Sequence, residues 1–211
     1  MEKYDYRKTD KALYLPKTAP ALVTVPPMRF FAVDGRGDPN AEGGEFARAM
    51  QLLYGMSFTV KMSPHGDHAI DGYYDYTVFP LEGLWERADG DYSALYEDKS
   101  QFVWTVMIRQ PDFVTEDVYE WAKAEMLRKK KTDASAVRLL VYDEGLCAQC
   151  MHIGAFDDEP ATVRRLHAFM DENGLRADWE SGRRHHEIYL SDPRRTAEDK
   201  KKTVLRLPVR R

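Results

Sequence analysis

The chain has 211 residues, of which 43% are hydrophobic and 31% charged, a composition typical of a globular protein with room for one sizeable domain. Its formal net charge of −4 disfavours general nucleic-acid binding, which depends on a basic surface. No segment approaches the roughly 20 apolar residues of a membrane span. The first residues lack the apolar core of a signal peptide, and two cysteines do not make a disulfide scaffold. These features predict a cytoplasmic protein.

The first predicted elements are an arm and a strand. Residues 1–20 are polar and are expected to form a loosely packed N-terminal arm. Residues 21–33 are apolar and β-prone but contain Pro26 and Pro27, so we expect one strand with a kink or bulge. The remainder, residues 21–211, contains no linker and is predicted to form a single domain.

A helix and two strands follow. Apolar residues at helical spacing, Phe46, Leu53 and Tyr54 among them, predict a helix over about 43–58. Two β-rich segments then predict strands at about 74–86 and 101–109.

A connecting helix is predicted over about 115–130. Thr115 is a suitable N-cap, and apolar residues follow it at helical spacing. A strand at about 137–143 is expected next.

The second half of the chain repeats the element order of the first. We expect a strand at about 145–156, a helix at about 160–172, and strands at about 183–190 and 203–209. Each half therefore reads as strand, helix, strand, strand, with repeats at about 21–109 and 137–209. The predicted fold is α+β: a duplicated module whose antiparallel sheet carries its helices on one face and a ligand cleft on the other.

The segment from His185 to Leu190 is the most informative strand, and it is expected to end in a proline-containing turn at 191–195. Because strand side chains alternate, His185, Glu187 and Tyr189 share one face. A carboxylate in mid-strand is costly if it is buried alone. Glu187 therefore needs solvent, an internal partner or a cationic ligand.

Four segments together resemble stand-alone GyrI-like proteins, which are bacterial relatives of the effector-binding domains of multidrug-sensing transcription activators. These segments are Pro80–Trp85, Trp104–Pro111, Glu144–Cys147 and His185–Arg195. The resemblance covers about residues 20–209. It implies a duplicated fold with a ligand cleft between the repeats.

The resemblance also implies a ligand and site residues. In the sensor relatives an acidic residue in an aromatic cleft attracts lipophilic cations, and this role falls on Glu187 here. The aromatic walls fall on Trp85, Trp104 and Tyr54. No helix-turn-helix segment is seen, so a direct nucleic-acid partner is not expected.

Each of these residues also has a structural explanation. Trp85 and Trp104 suit either core packing or a pocket wall, and Tyr54 suits either the core or a ligand contact. Tyr142 and Tyr189 are further ligand-contact candidates, and His185 is positioned to tune Glu187 or relay a proton.

No metal ligands or cofactor are predicted. Cys147 and Cys150 have CxxC spacing, but in a regular strand they point to opposite faces and cannot converge on one ion.

Three functions remain open. The first is a binding protein that holds a lipophilic, aromatic or cationic small molecule in an aromatic cleft over Glu187. The second, implied by stand-alone relatives, is a hydrolase of cyclopropane-bearing alkylating natural products. It would use Glu187 and a tyrosine, Tyr54 or else Tyr142, as acid–base groups. The third is a toxin-antagonist interaction module, whose protein partner the sequence does not identify.

Overall fold

The computed structural model describes residues 3–92, 95, 98–179, 182–192 and 195–211. The predicted turn at 191–195 falls partly on residues 193 and 194, which lie outside the described residues. The strands of the described chain are β1 (Ala21–Val25), β2 (Met28–Arg36), β3 (Leu81–Arg87), β4 (Phe102–Gln110), β5 (Arg138–Tyr142), β6 (Gly145–Ile153), β7 (Arg176–Ala177), β8 (His185–Tyr189) and β9 (Lys202–Arg210). The α-helices are α1 (Tyr6–Thr9), α2 (Lys11–Tyr14), α3 (Glu45–Lys61), α4 (Glu116–Lys130) and α5 (Glu159–Glu172).

The strands form one antiparallel sheet in the order β1-β6-β9-β8-β3-β4-β2-β5, with the short β7 paired to β9. The order is symmetric about its centre. Strands β2, β3 and β4 with α3 correspond to β6, β8 and β9 with α5. This arrangement confirms the predicted α+β class. The predicted bounds of the two repeats, about 21–109 and 137–209, stay a prediction.

The two modules also exchange their first strands. The predicted single strand over 21–33 is divided at Pro26 and Pro27 into β1 and β2. Prolines cannot donate ladder hydrogen bonds, so the chain leaves one part of the sheet there and enters another. Strand β1 pairs with β6 of the second module, and β5 pairs in the same way with β2 of the first.

The helices α3 and α5 pack against the same face of the sheet, as predicted. Leu53 and Met56 of α3 lie in one core cluster with Phe31. Leu166 of α5 lies in another with Leu205. We call this side of the sheet the helix face. The connecting helix α4 begins after Thr115, whose side chain accepts a hydrogen bond from the backbone N–H of Val118 at 3.4 Å, and it packs against α3.

The N-terminal arm is not loosely packed. Tyr14 of α2 is only 1% exposed, and its hydroxyl donates to Glu82 Oε1 at 3.1 Å. The backbone carbonyls of Ala12 and Leu13 accept hydrogen bonds from Gln149 and Arg206. These polar groups of the sheet are buried and need partners, and the arm supplies them. We call the sheet side covered by the arm the arm face.

No helix in the described ranges is both long and apolar enough to cross a membrane.

Candidate ligand-binding site

Glu187 lies at the centre of the symmetric sheet. Strands β3 and β8 are its two middle strands, and their five paired positions are centred on Gly83 opposite Glu187. The pseudo-twofold relation between the modules therefore passes through this pair. It makes Trp85 equivalent to Tyr189, since each lies two residues further along its strand.

The register brings most of the predicted site residues together. Trp85 faces His185 across the β3–β8 pair, and Trp104 faces Trp85 across the β3–β4 pair. Directly opposed residues share a sheet face, so these side chains lie on the same side as Glu187 and Tyr189.

A chain of hydrogen bonds joins three of these side chains to Trp85. Glu187 Oε1 lies 3.1 Å from His185 Nε2, and Glu187 Oε2 accepts from the hydroxyl of Tyr189 at 2.7 Å. The same tyrosine oxygen accepts from Nε1 of Trp85 at 2.9 Å. Because Glu187 is only 7% exposed, these contacts replace the water that the carboxylate has lost.

The electrostatics of the site favour an ionised Glu187. Burial alone would raise its pKa, but the interactions with His185 and the hydrogen bonds from Tyr189 and Glu159 outweigh it and lower the pKa. Burial and the neighbouring Glu187 raise the pKa of Tyr189 well above its usual value. The site therefore holds a carboxylate next to a protonated phenol.

Gly83 makes room for this arrangement. A Cβ atom there would lie 2.5 Å from Trp85 Nε1 and 3.2 Å from the hydroxyl of Tyr189. Gly35 has a similar role under Trp104, because a Cβ atom there would lie 2.1 Å from the indole ring. Glycine at these two positions lets the aromatic rings lie directly on the sheet.

Phenylalanines from the helix side cover the site. Phe46, the second residue of α3, stacks on Trp85 with ring centroids 5.7 Å apart and meets Trp104 edge-on at 5.3 Å. Phe156, just before α5, meets Tyr189 edge-on at 5.7 Å. Trp85 and Trp104 are only 4% and 1% exposed. The aromatic walls are therefore closed over by rings at the starts of both helices.

This location differs from the predicted cleft on the face opposite the helices. Glu187 faces Leu205, which packs against α5, so the carboxylate lies on the helix face. The alternation of side chains along the strand placed His185, Glu187 and Tyr189 on one face. It contained no information on which face of the sheet the helices cover.

Tyr54 and Tyr142 are not brought to Glu187. Tyr54 lies on α3, eight residues after Phe46, and is 38% exposed. Tyr142 faces Met28 across the β2–β5 pair and clusters with Phe30 on the arm face. Its hydroxyl is buried with no hydrogen-bond partner within the described ranges.

Sequence reasoning missed a buried ionic network on the arm face. His186 Nδ1 lies 2.9 Å from Glu144 Oε1, and its Nε2 lies 3.0 Å from Glu82 Oε2. Arg206 donates to Glu144 Oε2 at 2.7 Å. All four side chains are at most 1% exposed. His186 is adjacent to Glu187 in the chain, so this network fixes the strand that carries the site carboxylate.

The network shifts the pKa of its members in opposite directions. Burial lowers the pKa of His186, but Glu144 and Glu82 more than offset it and raise the pKa to about 9. Burial raises the pKa of Glu144, but Arg206 and His186 more than offset it and lower the pKa to about 2. Both ion partners are therefore charged at neutral pH. Glu82, Glu144, His186 and Arg206 lie in separate segments of the chain, so no local sequence pattern indicated this network.

The described residues include no group of three or more His, Cys, Asp or Glu side chains placed to hold a metal ion. Cys147 and Cys150 are buried free thiols that lie in different core clusters, on opposite faces of the sheet.

The fold and the buried carboxylate define a duplicated α+β domain with a symmetric centre. The model of the GyrI-like small molecule binding domain matches residues 18–210, so the chain belongs to this family. Comparison with curated proteins gave no match.

Solved structures include near relatives. A hydrolase from Listeria innocua is 46% identical, with a TM-score of 0.89 over 99% of this chain and 100% of its own. An uncharacterized conserved protein from the same organism is 47% identical, with a TM-score of 0.91 over 99% of this chain and 100% of its own. The C-terminal domain of EcmrR is 14% identical, with a TM-score of 0.53 over 91% of this chain and 97% of its own, and shares the fold alone.

Proposed function

We propose that this GyrI-like domain binds a planar lipophilic small molecule on the helix face, between the starts of α3 and α5, with Glu187 as the counter-charge for a cationic ligand. One observation carries the proposal. Glu187 is an ionised carboxylate buried at the centre of the sheet, within a group of aromatic rings from both modules.

The physical gain for a cationic ring system has two parts. Each aromatic face contributes cation–π attraction of about 0.5–2 kcal/mol. A carboxylate that is shielded from water attracts a cation more strongly than an exposed one, because the local dielectric constant is lower. Trp85 and Trp104 supply the rings and Glu187 supplies the charge.

Entry of a ligand requires the covering rings to move. Phe46 is only partly buried and lies at the start of α3, directly after the largely exposed segment 37–44. Phe156 lies three residues before the start of α5. We propose that the ligand takes the places of one or both of these rings against Trp85 and Tyr189.

Quenching of tryptophan fluorescence by N-methylacridinium tests the location. We expect micromolar or weaker affinity, about −8 kcal/mol or less favourable. Trp85→Phe should remove much of the quenching, because its indole forms part of the proposed wall. Trp121→Phe, a change on α4, should leave most of it. If Trp121→Phe removes the quenching and Trp85→Phe does not, the ligand binds elsewhere and the proposal is contradicted.

Hydrolysis of a bound strained-ring electrophile is a second candidate function. The hydrogen bonds of Glu187 to His185 and Tyr189 favour it, since they orient a carboxylate as a general base. The 46% identical Listeria innocua protein described as a hydrolase also supports it.

In this mechanism Glu187 takes a proton from water as the water oxygen bonds to a cyclopropane carbon. The ring carbon–carbon bond breaks, and its electron pair moves to a conjugated carbonyl oxygen of the substrate. That oxygen then takes up a proton, which balances the addition of one water. Tyr189, not Tyr54 or Tyr142, is the tyrosine in contact with the carboxylate.

Mass spectrometry of a cyclopropane-bearing alkylator incubated with the protein tests this function. We expect a ring-opened product that has gained one water. Glu187→Gln should slow its formation by about 10²-fold or more, the scale of a general base. Tyr142→Phe, on the arm face, should not. Binding without this product would contradict the hydrolase function and leave the binding function intact.

A further inference from the structure

A cavity that lies apart from the Glu187 site shares no residues with it. It lies between the C-terminal half of α3, the turn at 62–68 and the C-terminal half of α4, and its volume is about 350 Å³. This volume lies within the range of about 300–1,000 Å³ found for small-molecule sites. We propose that this cavity binds a small aromatic anion, such as an aryl carboxylate or sulfonate.

The cavity has an apolar wall that the fold leaves uncovered. Phe58 and Met62 line it and are 48% and 50% exposed. Phe58 lies in the last turn of α3 and Met62 directly after its end, four residues on, so the two side chains lie on the same side of the helix. A ligand that covers these side chains gains about 25 cal/mol for each Å² of apolar surface removed from water.

A second wall is flat. The imidazole of His68 stacks on the indole of Trp121 with ring centroids 4.3 Å apart and an interplanar angle of 14°. Both residues line the cavity. Parallel rings on one wall and Phe58 on the other favour a planar aromatic ligand.

The polar groups of the cavity select an anion. Arg128 and Lys129 are ion-paired with Glu125 at 2.8 and 2.7 Å. Lys130 also lines the cavity and forms no ion pair within the described ranges. With Asp67 included, the charged lining residues carry three positive and two negative charges, a net charge of +1.

The positive balance of the lining, and not a hydrogen bond from Ser63, selects the charge of the ligand, because the buried Oγ of Ser63 is out of reach of the cavity. The cavity therefore takes a ligand of the opposite charge to the one proposed for Glu187.

Titration with 1-anilinonaphthalene-8-sulfonate, followed by its fluorescence, tests the proposal. Lys130→Glu changes the net charge of the lining from +1 to −1 and should weaken binding roughly fivefold, as for a surface charge contact. Phe58→Ala should weaken it roughly tenfold through lost apolar contact. Lys11→Glu makes the same charge change outside the cavity and should have no effect.

A neutral probe separates charge from ring recognition. N-phenyl-1-naphthylamine lacks the sulfonate, so Phe58→Ala should weaken its binding while Lys130→Glu should not. Phe58 and Lys130 are exposed, and an unchanged thermal midpoint verifies that both variants fold. If both variants bind the sulfonate within twofold of the unmodified protein, the cavity is not its site. Equal losses for both probes in Lys130→Glu would contradict anion selection.

Discussion

Trp85 and Tyr189, which are equivalent residues of the two modules, are joined directly across the pseudo-twofold centre: Nε1 of Trp85 donates to the hydroxyl oxygen of Tyr189 at 2.9 Å. The same hydroxyl donates to Glu187 at 2.7 Å. Both modules therefore orient Glu187. Its counterpart in the first module is Gly83, so the two middle strands carry one carboxylate at their centre, and a second buried acid, Glu159 of α5, lies within hydrogen-bond reach of it.

Tyr189→Phe should raise the pKa of Glu187, because it removes the hydroxyl that stabilises the carboxylate. A carboxylate with a raised pKa becomes protonated at a higher pH. Binding of N-methylacridinium should weaken when the solution is acidified. In the variant this loss should begin at a higher pH than in the unmodified protein. The measurement is a series of fluorescence titrations across acidic pH.

Tyr142→Phe is the matched control for Tyr189→Phe. It deletes a buried hydroxyl on the arm face that has no hydrogen-bond partner in the described part of the chain. The pH dependence of binding should stay unchanged in this control. If both variants behave alike, Tyr189 does not tune the carboxylate.

Gly83→Ala should destabilise the protein and weaken ligand binding. Its Cβ would lie 2.5 Å from Trp85 Nε1, so the indole and the phenol of Tyr189 must shift. Overpacking of this kind costs about 1–3 kcal/mol of unfolding free energy. Denaturation in urea measures the cost. Gly66→Ala is the control, because its nearest contact would be an ordinary 3.6 Å. An equal cost in both variants would show that the space above Gly83 is not critical.

Stability should decrease in alkaline solution because of His186. Its pKa rises from 6.5 to about 9 on folding, so its charged form stabilises the fold fully below pH 6.5, and this contribution is lost as the pH rises through about 9. The loss in unfolding free energy is on the order of 3 kcal/mol. Urea denaturation at a series of pH values measures it.

A direct titration of the His186 ring by NMR checks the cause. We expect a midpoint near 9. His65→Gln, a change to an exposed histidine, should leave the alkaline loss of stability in place. A His186 midpoint at or below 6.5 would mean that the network does not hold the ring in its charged form.

The alternation of side chains along a strand predicted which residues of β8 share a face, but it did not predict which residues of other strands surround them. The alternation of His185, Glu187 and Tyr189 follows from the local sequence, and the structure confirms that these residues share a face. Pairing between distant strands does not follow from local pattern. Neither the contact of Trp85 with Tyr189 nor the position of Gly83 under both rings was therefore predictable.

The tyrosines show the same limit. Tyr54 fits an apolar helical stripe, yet it lies where the stripe reaches the protein surface. Tyr142 lies on β5, which is exchanged into the other module, and its side chain lies on the arm face, away from Glu187. The network of Glu82, Glu144 and Arg206 joins β3, β9 and the turn between β5 and β6, so only the folded chain reveals that their charges compensate one another.

The most direct test of charge recognition compares N-methylacridinium with uncharged acridine on Glu187→Gln. The variant should bind the cation about 1–3 kcal/mol more weakly, the usual value of a charge-assisted contact, and should bind acridine nearly as well as the unmodified protein. Glu120→Gln, a change to an exposed carboxylate on α4, should alter neither affinity. Equal losses for the cation and the neutral ring in Glu187→Gln would contradict the role of Glu187 as the counter-charge.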